Sequence, residues 1–275
     1  MHAVLNIAIR AARRAGAVLV RYWDHLDRRS TARKGLAQFV AKVGKQAEEA
    51  MMDTLLRAYP EHGISSRGIE YQQDSDHIWI IDALNGRDNY MHGLPRFSIS
   101  LAFAYRERTE YAVVYYPLQE ELFTATKGSG AQLDERRIRV NRCNSLDDAL
   151  LGTGFSSRDS ERFDTYLSIY RDFLMTRAKV RQTGCSVLDL ASVAAGRFDG
   201  FWDFGLRRWD MAAGALLVQE AGGIVTSPGK INDYLRSGNI VAGNLKVGDA
   251  MMRVIQPYEE AFSPKAPKAL GDLAL

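Results

Sequence analysis

From Leu5 to Tyr22, apolar side chains recur every three or four positions, the spacing of a helix packed along one face. Lys45 to Tyr59 repeats that pattern, with Ala47, Met51, Leu55 and Ala58 on one side, and Pro60 and Gly63 end it. The basic stretch from Asp27 to Gly35 predicts a connection between the two helices. The pattern then changes. Ile78-Trp79-Ile80-Ile81 is an unbroken apolar run, as expected of a strand buried on both faces. Phe97 to Tyr105, Tyr111 to Tyr116 and Glu121 to Ala125 follow. A charged turn at Arg106-Glu107-Arg108 parts the first two, and the last ends in Lys127-Gly128-Ser129-Gly130. Strands joined by such short turns predict an antiparallel meander.

The second half alternates differently. Val187 to Ala195 reads as a helix, Gly200 to Asp203 as a short strand, and Asp210 to Ala221 as a helix closed by Gly222-Gly223. Strands are expected at Ile224-Val225-Thr226 and Asn239-Ile240-Val241-Ala242, with a final helix from Val247 to Ile255. Alternating strands and helices predict a layered α/β architecture. The chain therefore divides into residues 1–140, with two helices and the meander, an α/β half at 141–256, and a tail at 257–275. Pro264, Lys265, Pro267 and Lys268 mark that tail as a loose end.

Composition narrows the function only a little. The 275 residues are 46% hydrophobic and 25% charged, ordinary globular usage, and a net charge of +3 demands no polyanionic partner. Cys143 and Cys185 stand far apart, in neither metal-binding nor redox spacing, which fits free thiols in a reducing compartment. The five histidines form no ligand-spaced pair, which argues against zinc. Met1 to Leu5 runs straight into a helix carrying Arg10, Arg13 and Arg14, unlike a signal peptide, and no apolar stretch approaches membrane-spanning length. A cytoplasmic protein with no membrane partner is expected.

The chemistry enters through particular segments. Trp79-Ile80-Ile81-Asp82-Ala83-Leu84-Asn85-Gly86, Gly93-Leu94-Pro95 and Glu121-Leu122-Phe123-Thr124-Ala125 come in this order. They are followed by Gly205-Leu206-Arg207-Arg208-Trp209-Asp210-Met211-Ala212-Ala213-Gly214 and Glu220-Ala221-Gly222-Gly223. Together they resemble the inositol monophosphatase family, in particular its bacterial SuhB-type branch. The resemblance runs from near the N-terminus to about residue 250. It implies an αβαβα sandwich, a homodimer, and a site in which carboxylates gather magnesium ions. Such ions activate water, neutralise a phosphate monoester and stabilise the leaving oxygen.

Position by position, that site is only partly kept. The resemblance assigns Asp82, the Leu84 carbonyl and Asp210 as residual metal ligands. By their own chemistry, Asp82 at a strand end and Asp210 at a helix start also suit a turn residue and a helix cap. Elsewhere the family's acids are gone. Its Gly-Glu-Glu turn aligns with Pro60-Glu61-His62-Gly63-Ile64 and places Arg67 and Gly68 at the two glutamates. The second central aspartate is Asn85, the threonine two residues on is Arg87, and the outlying aspartate falls on Gly44. Arg67, Gly68 and Arg87 thus occupy family positions without supplying catalytic groups. Glu70 and Asp88 lie near enough in sequence to be considered as substitute ligands. On the substrate side the resemblance points to Asn85, Gly86, Arg87, Gly184, Ser186, Asp203 and Asp210, with Cys185 in the same loop.

A cradle meant for cations here carries guanidinium groups, which bind phosphate oxygens in a fork but do not acidify water as a metal does. Three functions follow as expectations. The first is a catalytically impaired protein acting by binding, with the SuhB-type role in ribosomal RNA antitermination and a Nus factor or RNA as partner. The second is a magnesium-dependent inositol-1-monophosphatase-type hydrolase of inositol or sugar phosphates. The third is a metal-free phosphate-ligand sensor built on Arg67 and Arg87. Arg28-Arg29, Arg33-Lys34, Arg136-Arg137 and Arg207-Arg208 are candidate contacts for RNA or an acidic protein, although most such runs are solvated faces.

Overall fold

The computed structural model describes residues 3–23, 33–67, 69–155, 162–229 and 233–262. Two helices open it, α1 (Ala3–Trp23) and α2 (Arg33–Ala58). The buried stripe of α1 is largely alanine (Ala8, Ala11, Ala12, Ala15), which lets it pack closely against α2. Helix α2 begins well before the expected Lys45. Its apolar stripe extends back through Leu36, Phe39, Val40 and Val43, so residues 33–35 belong to a helix and not to the connection. Gly44 lies inside α2, where an added Cβ would stand 3.7 Å from Leu84 Cδ2.

The first sheet contains β1 (Gly63–Ser65), β2 (Glu70–Tyr71) and β3 (His77–Asn85). After a short helix α3 (Arg87–His92) come β4 (Ser98–Tyr105), β5 (Arg108–Tyr116), β6 (Glu121–Thr126), β7 (Gly130–Leu133) and β8 (Arg136–Arg137). The strand order is β2-β1-β3-β4-β5-β6-β7-β8, and only β1 and β3 pair in parallel. The expected meander is β4 to β6. Arg106 and Glu107 turn it at positive φ, 47° and 62°. The meander continues beyond its expected end, because residues 127–129 form a turn into β7.

The second half supplies β9 (Leu150–Thr153), α4 (Phe163–Met175), β10 (Lys179–Gln182), α5 (Ser186–Ala194) and β11 (Gly200–Asp203). Then follow a 3-10 turn (Arg208–Asp210), α6 (Ala212–Glu220), β12 (Ile224–Thr226), α7 (Tyr234–Ser237), β13 (Ile240–Gly243) and α8 (Leu245–Ile255). Its sheet runs β10-β9-β11-β13-β12, with β9 parallel to both neighbours and β13 antiparallel to both of its own. Two expectations need correction. The helix foreseen from Asp210 is split, since Asp210 closes the 3-10 turn and α6 starts at Ala212. The tail from Pro257 is 3-10 helical through Phe262; residues 263–275 lie outside the described ones.

The two-residue strand period builds the layers. Trp79, Ile81 and Ala83 of β3 face α1 and α2, together with Ile99, Leu101 and Phe103 of β4. Ile80, Ala102, Val114 and Phe123 point the other way, onto α5 and α6. Phe201 of β11 and Ile240 and Ala242 of β13 meet the same two helices from the far side. Trp202 and Val241 face outward to α4 and α8 through Ile169, Phe173, Val247 and Met251. The result is an αβαβα sandwich. Helices α5 and α6 form its central layer and are buried nearly all round, as such a position requires. Among the described residues, no helix is long and apolar enough to cross a membrane.

Candidate functional site: an acidic cradle bridged by Arg67

The site forms where the end of β3 meets the start of α5 and the 3-10 turn. Pairing of β3 with β4 shifts register between Asp82 and Asn85, and this irregularity re-aims the side chains there. Asp82 is 4% exposed, and its Oδ1 accepts the Leu84 N–H at 3.2 Å. Asp210 is held from two sides. Its carbonyl accepts from Ser186 Oγ at 3.1 Å, and its Oδ2 accepts the Arg207 N–H at 3.1 Å. Asp82 therefore fills the local turn role its chemistry allows, whereas Asp210 does not cap α6, whose N-cap is Met211, and instead closes the 3-10 turn through the Arg207 N–H.

Two side chains join them. Arg67 Nη2 lies 3.1 Å from Asp82 Oδ2 and 3.4 Å from Asp210 Oδ1. Asn85 Nδ2 donates to the same two oxygens, at 3.1 Å each. The Asn85 amide is oriented from behind, because its Oδ1 lies 3.1 Å from the Cys185 thiol and 3.5 Å from the Val187 N–H. Burial alone would lower the Arg67 pKa, but attraction to Asp82 and Asp210 outweighs it and raises the value. All four oxygens of the two carboxylates thus carry donors from the chain itself.

A cavity of about 730 Å³ opens beside this cluster. Of the residues singled out from sequence, Arg67, Asn85, Gly86, Arg87, Gly184, Cys185, Ser186, Asp203 and Asp210 line it. Asp82 and Leu84 are buried behind the lining. Gly68 lies outside the described residues. Arg87 and Asp88 open α3 at the cavity wall, both exposed. Glu70 sits on the edge strand β2 and accepts from Ser65 Oγ at 2.9 Å, away from the cavity lining. Arg67 is committed to the two carboxylates and does not stand free as a phosphate anchor, the role the sequence suggests for it.

Two further carboxylates border the cavity. Burial pushes the Asp203 carboxyl up to about 8, and the Asp210 charge adds to the rise against the bond from the Phe204 N–H. Gly154 makes room for Asp203, since a Cβ there would lie 2.2 Å from Asp203 Oδ2. Asp189 accepts from Arg96 Nη2 at 2.6 Å and from Thr183 Oγ1 at 2.6 Å, yet burial still pushes it up to about 6. Sequence reasoning missed Asp189. The available signal was an acid inside the apolar run Val187-Leu188-Asp189-Leu190, a position that requires a partner.

The donor set does not suit a divalent cation. Magnesium demands near-octahedral oxygen ligation. Here the two facing carboxylates already accept from a guanidinium and an amide, and among the described residues no three His, Cys, Asp or Glu side chains converge to hold a metal. Of the candidate RNA contacts, Arg207 borders the cavity. Arg136-Arg137 and Arg207-Arg208 are exposed, and Arg28-Arg29 lie outside the described residues. Arg33-Lys34 open α2.

Fold and site together define an αβαβα protein of the sugar-phosphatase type, with its acidic cradle closed by an arginine and an asparagine. The chain belongs to the inositol monophosphatase family, whose family model matches residues 1–260. It is 46% identical over 264 residues to a protein named Nus factor SuhB from Pseudomonas aeruginosa, covering 94% of this chain and 97% of that one. It is 45% identical over 254 residues to Nus factor SuhB of Escherichia coli K12, covering 92% and 95%. Among solved structures, the extragenic suppressor protein suhB from Bartonella henselae superposes with a TM-score of 0.84 at 35% identity, covering 93% of this chain and 99% of that one. The inositol monophosphatase from Anabaena (Nostoc) sp. PCC 7120 gives 0.82 at 32% identity, covering 92% and 95%.

Proposed function

We propose that this chain acts by binding, as a Nus-type factor in transcription antitermination, with efficient phosphate-ester hydrolysis lost. One observation carries the loss of catalysis: Arg67 and Asn85 donate to both carboxylates that would otherwise face a metal. Hydrolysis of a phosphate monoester is among the slowest uncatalysed reactions, and enzymes that perform it reach accelerations near ~10²¹-fold. A guanidinium contributes charge, but it does not move the pKa of water from about 15.7 towards neutrality as a bound metal does. Magnesium binding at Asp82, Leu84 and Asp210 is accordingly weak or lost. The name Nus factor carried by the SuhB relatives supports the antitermination role; a homodimer in the cytoplasm with a Nus factor or RNA as partner is the form proposed for it.

Phosphate release from inositol 1-phosphate, with and without magnesium, tests the catalytic half of this reading, and co-purification with Nus factors tests the other. Negligible turnover in both conditions and retention of a Nus factor are expected. Robust magnesium-stimulated turnover would identify the chain as a phosphomonoesterase and overturn the proposal.

A further inference from the structure

At the corner where α2 gives way to β1, a histidine is sealed into an aromatic stack that neither the cradle nor its cavity uses. His62 is buried. The rings of Tyr59, just past α2, and of His77 in β3 stack parallel to it at 4.5 and 5.0 Å, and Phe103 of β4 lies at 5.3 Å. Trp79 Nε1, deep in β3, donates to His62 Nδ1 at 3.1 Å. An indole N–H can only donate, so Nδ1 carries no proton and the imidazole is neutral. Its proton sits on Nε2, which lies 3.5 Å from Glu61 Oε1. The titratable groups that face His62 are Glu61 beside it, His77 from β3 and the Tyr59 phenol; Trp79 and Phe103 add only neutral rings. Burial holds the His62 pKa below its ordinary value against the pull of Glu61, and His77 adds to the fall.

This bond secures a lightly held strand. β1 pairs with β3 only at Gly63–Ile78, Ile64–Trp79 and Ser65–Ile80, and its other neighbour is the exposed edge strand β2. Trp79 therefore grips β1 twice, through the Ile64 pairing and through His62 at the strand's entrance. Arg67 stands just beyond the strand's far end. We infer that the His62–Trp79 bond is a proton-sensitive latch on β1: protonation of Nδ1 displaces the indole and loosens the strand that carries Arg67 to the cradle. A charged imidazole has two donors and no acceptor, so the buried indole N–H would be stranded. The loosened form takes up the proton more readily than the closed one. The latch is therefore fully closed above about pH 6.5 and weakens as pH falls below it. It acts on the backbone, so it holds or fails independently of the antitermination role proposed above.

Amide hydrogen exchange of the full chain, read as protection factors at about pH 7.5 and about pH 5, tests the latch. Protection of β1 should fall about tenfold or more at the lower pH, the loss expected when a buried donor is stranded, while Val113 and Val114 of β5 stay unchanged. His62→Asn keeps an acceptor for the indole but cannot titrate, so its β1 protection should not respond to pH. Side-chain nitrogen chemical shifts of the wild type, which need no variant, should show His62 neutral at neutral pH with its proton on Nε2. A pH response that His62→Asn retains in full would overturn the latch. So would unchanged β1 protection in the wild type, or a His62 that is charged at neutral pH.

Discussion

Arg67 reaches Asp210 across 143 positions of sequence, its Nη2 standing 3.4 Å from Asp210 Oδ1 while it also bonds Asp82 at 3.1 Å. A single guanidinium therefore joins the loop after β1, the end of β3 and the turn before α6. That contact has consequences for stability as well as chemistry.

Replacing Arg67 by Ala removes a donor that Asp82 and Asp210 share and leaves the two facing acids with the Asn85 amide and the Leu84 and Arg207 N–H groups among their donors. The loss should cost about 1–2 kcal/mol, less than the ~3–5 of a fully buried pair because the arginine side chain is 38% exposed. Urea unfolding should show a lowered midpoint for Arg67→Ala, and added magnesium or manganese should restore part of it while leaving the wild type unmoved. A wild type stabilised by magnesium would contradict this.

Adding acids should go further. Arg67→Glu combined with Asn85→Asp sets four carboxylates around one space, the hard oxygen donors that magnesium and manganese prefer. Manganese binding followed by electron paramagnetic resonance should appear in the double variant and be absent from the parent. Equal binding by both proteins would show that Arg67 does not govern the cradle.

Much of this arrangement was legible in sequence, and the illegible part has physical reasons. Ile78 to Ile81 reads as a buried strand because β3 is covered on both faces, and β11 and β13 are legible as short runs buried along their whole length. The segment between Cys143 and Gly184 yields no element, although β9, α4 and β10 lie there. Strands of four residues give little period, and the stripe on α4 is blurred by exposed Phe163, Leu167 and Leu174. Alignment with the family placed Arg67, Asn85 and Asp210 at the old metal positions. It could not show that the replacements bond the surviving acids, since hydrogen bonds across 143 positions leave no local pattern. Arg236 carries no signal at all; it is an ordinary surface arginine until α7 brings it to the cavity.

Asp203 makes stability depend on pH. Its carboxyl keeps a proton up to about pH 8 in the folded state, whereas the unfolded chain loses it near 3.8. The folded state binds more protons across that window, so stability is greatest at its acid end and declines as pH rises through about 8. Asp189, pushed up to about 6, acts in the same direction. Thermal melts should therefore show a flatter decline between neutral and mildly alkaline pH for Asp203→Asn than for the wild type. Parallel curves would rule out a protonated Asp203.

The two thiols should behave differently. Cys185 is 1% exposed and burial pushes it up to about 12, against the bond from Ser98, so almost no thiolate forms at ordinary pH. Cys143 is only half-buried. Titration with an aromatic disulfide reagent should count one thiol in the native protein and two in urea. Rapid native reaction of both would mean that the Cys185–Asn85 contact opens readily.

A dissociable ion leaves its ligands whenever supply or acidity changes, and the ligands then repel each other. The counter-ion of this cradle is encoded in the polypeptide and arrives with it from the ribosome. Its occupancy is thus independent of ionic supply, and no chelator can strip it.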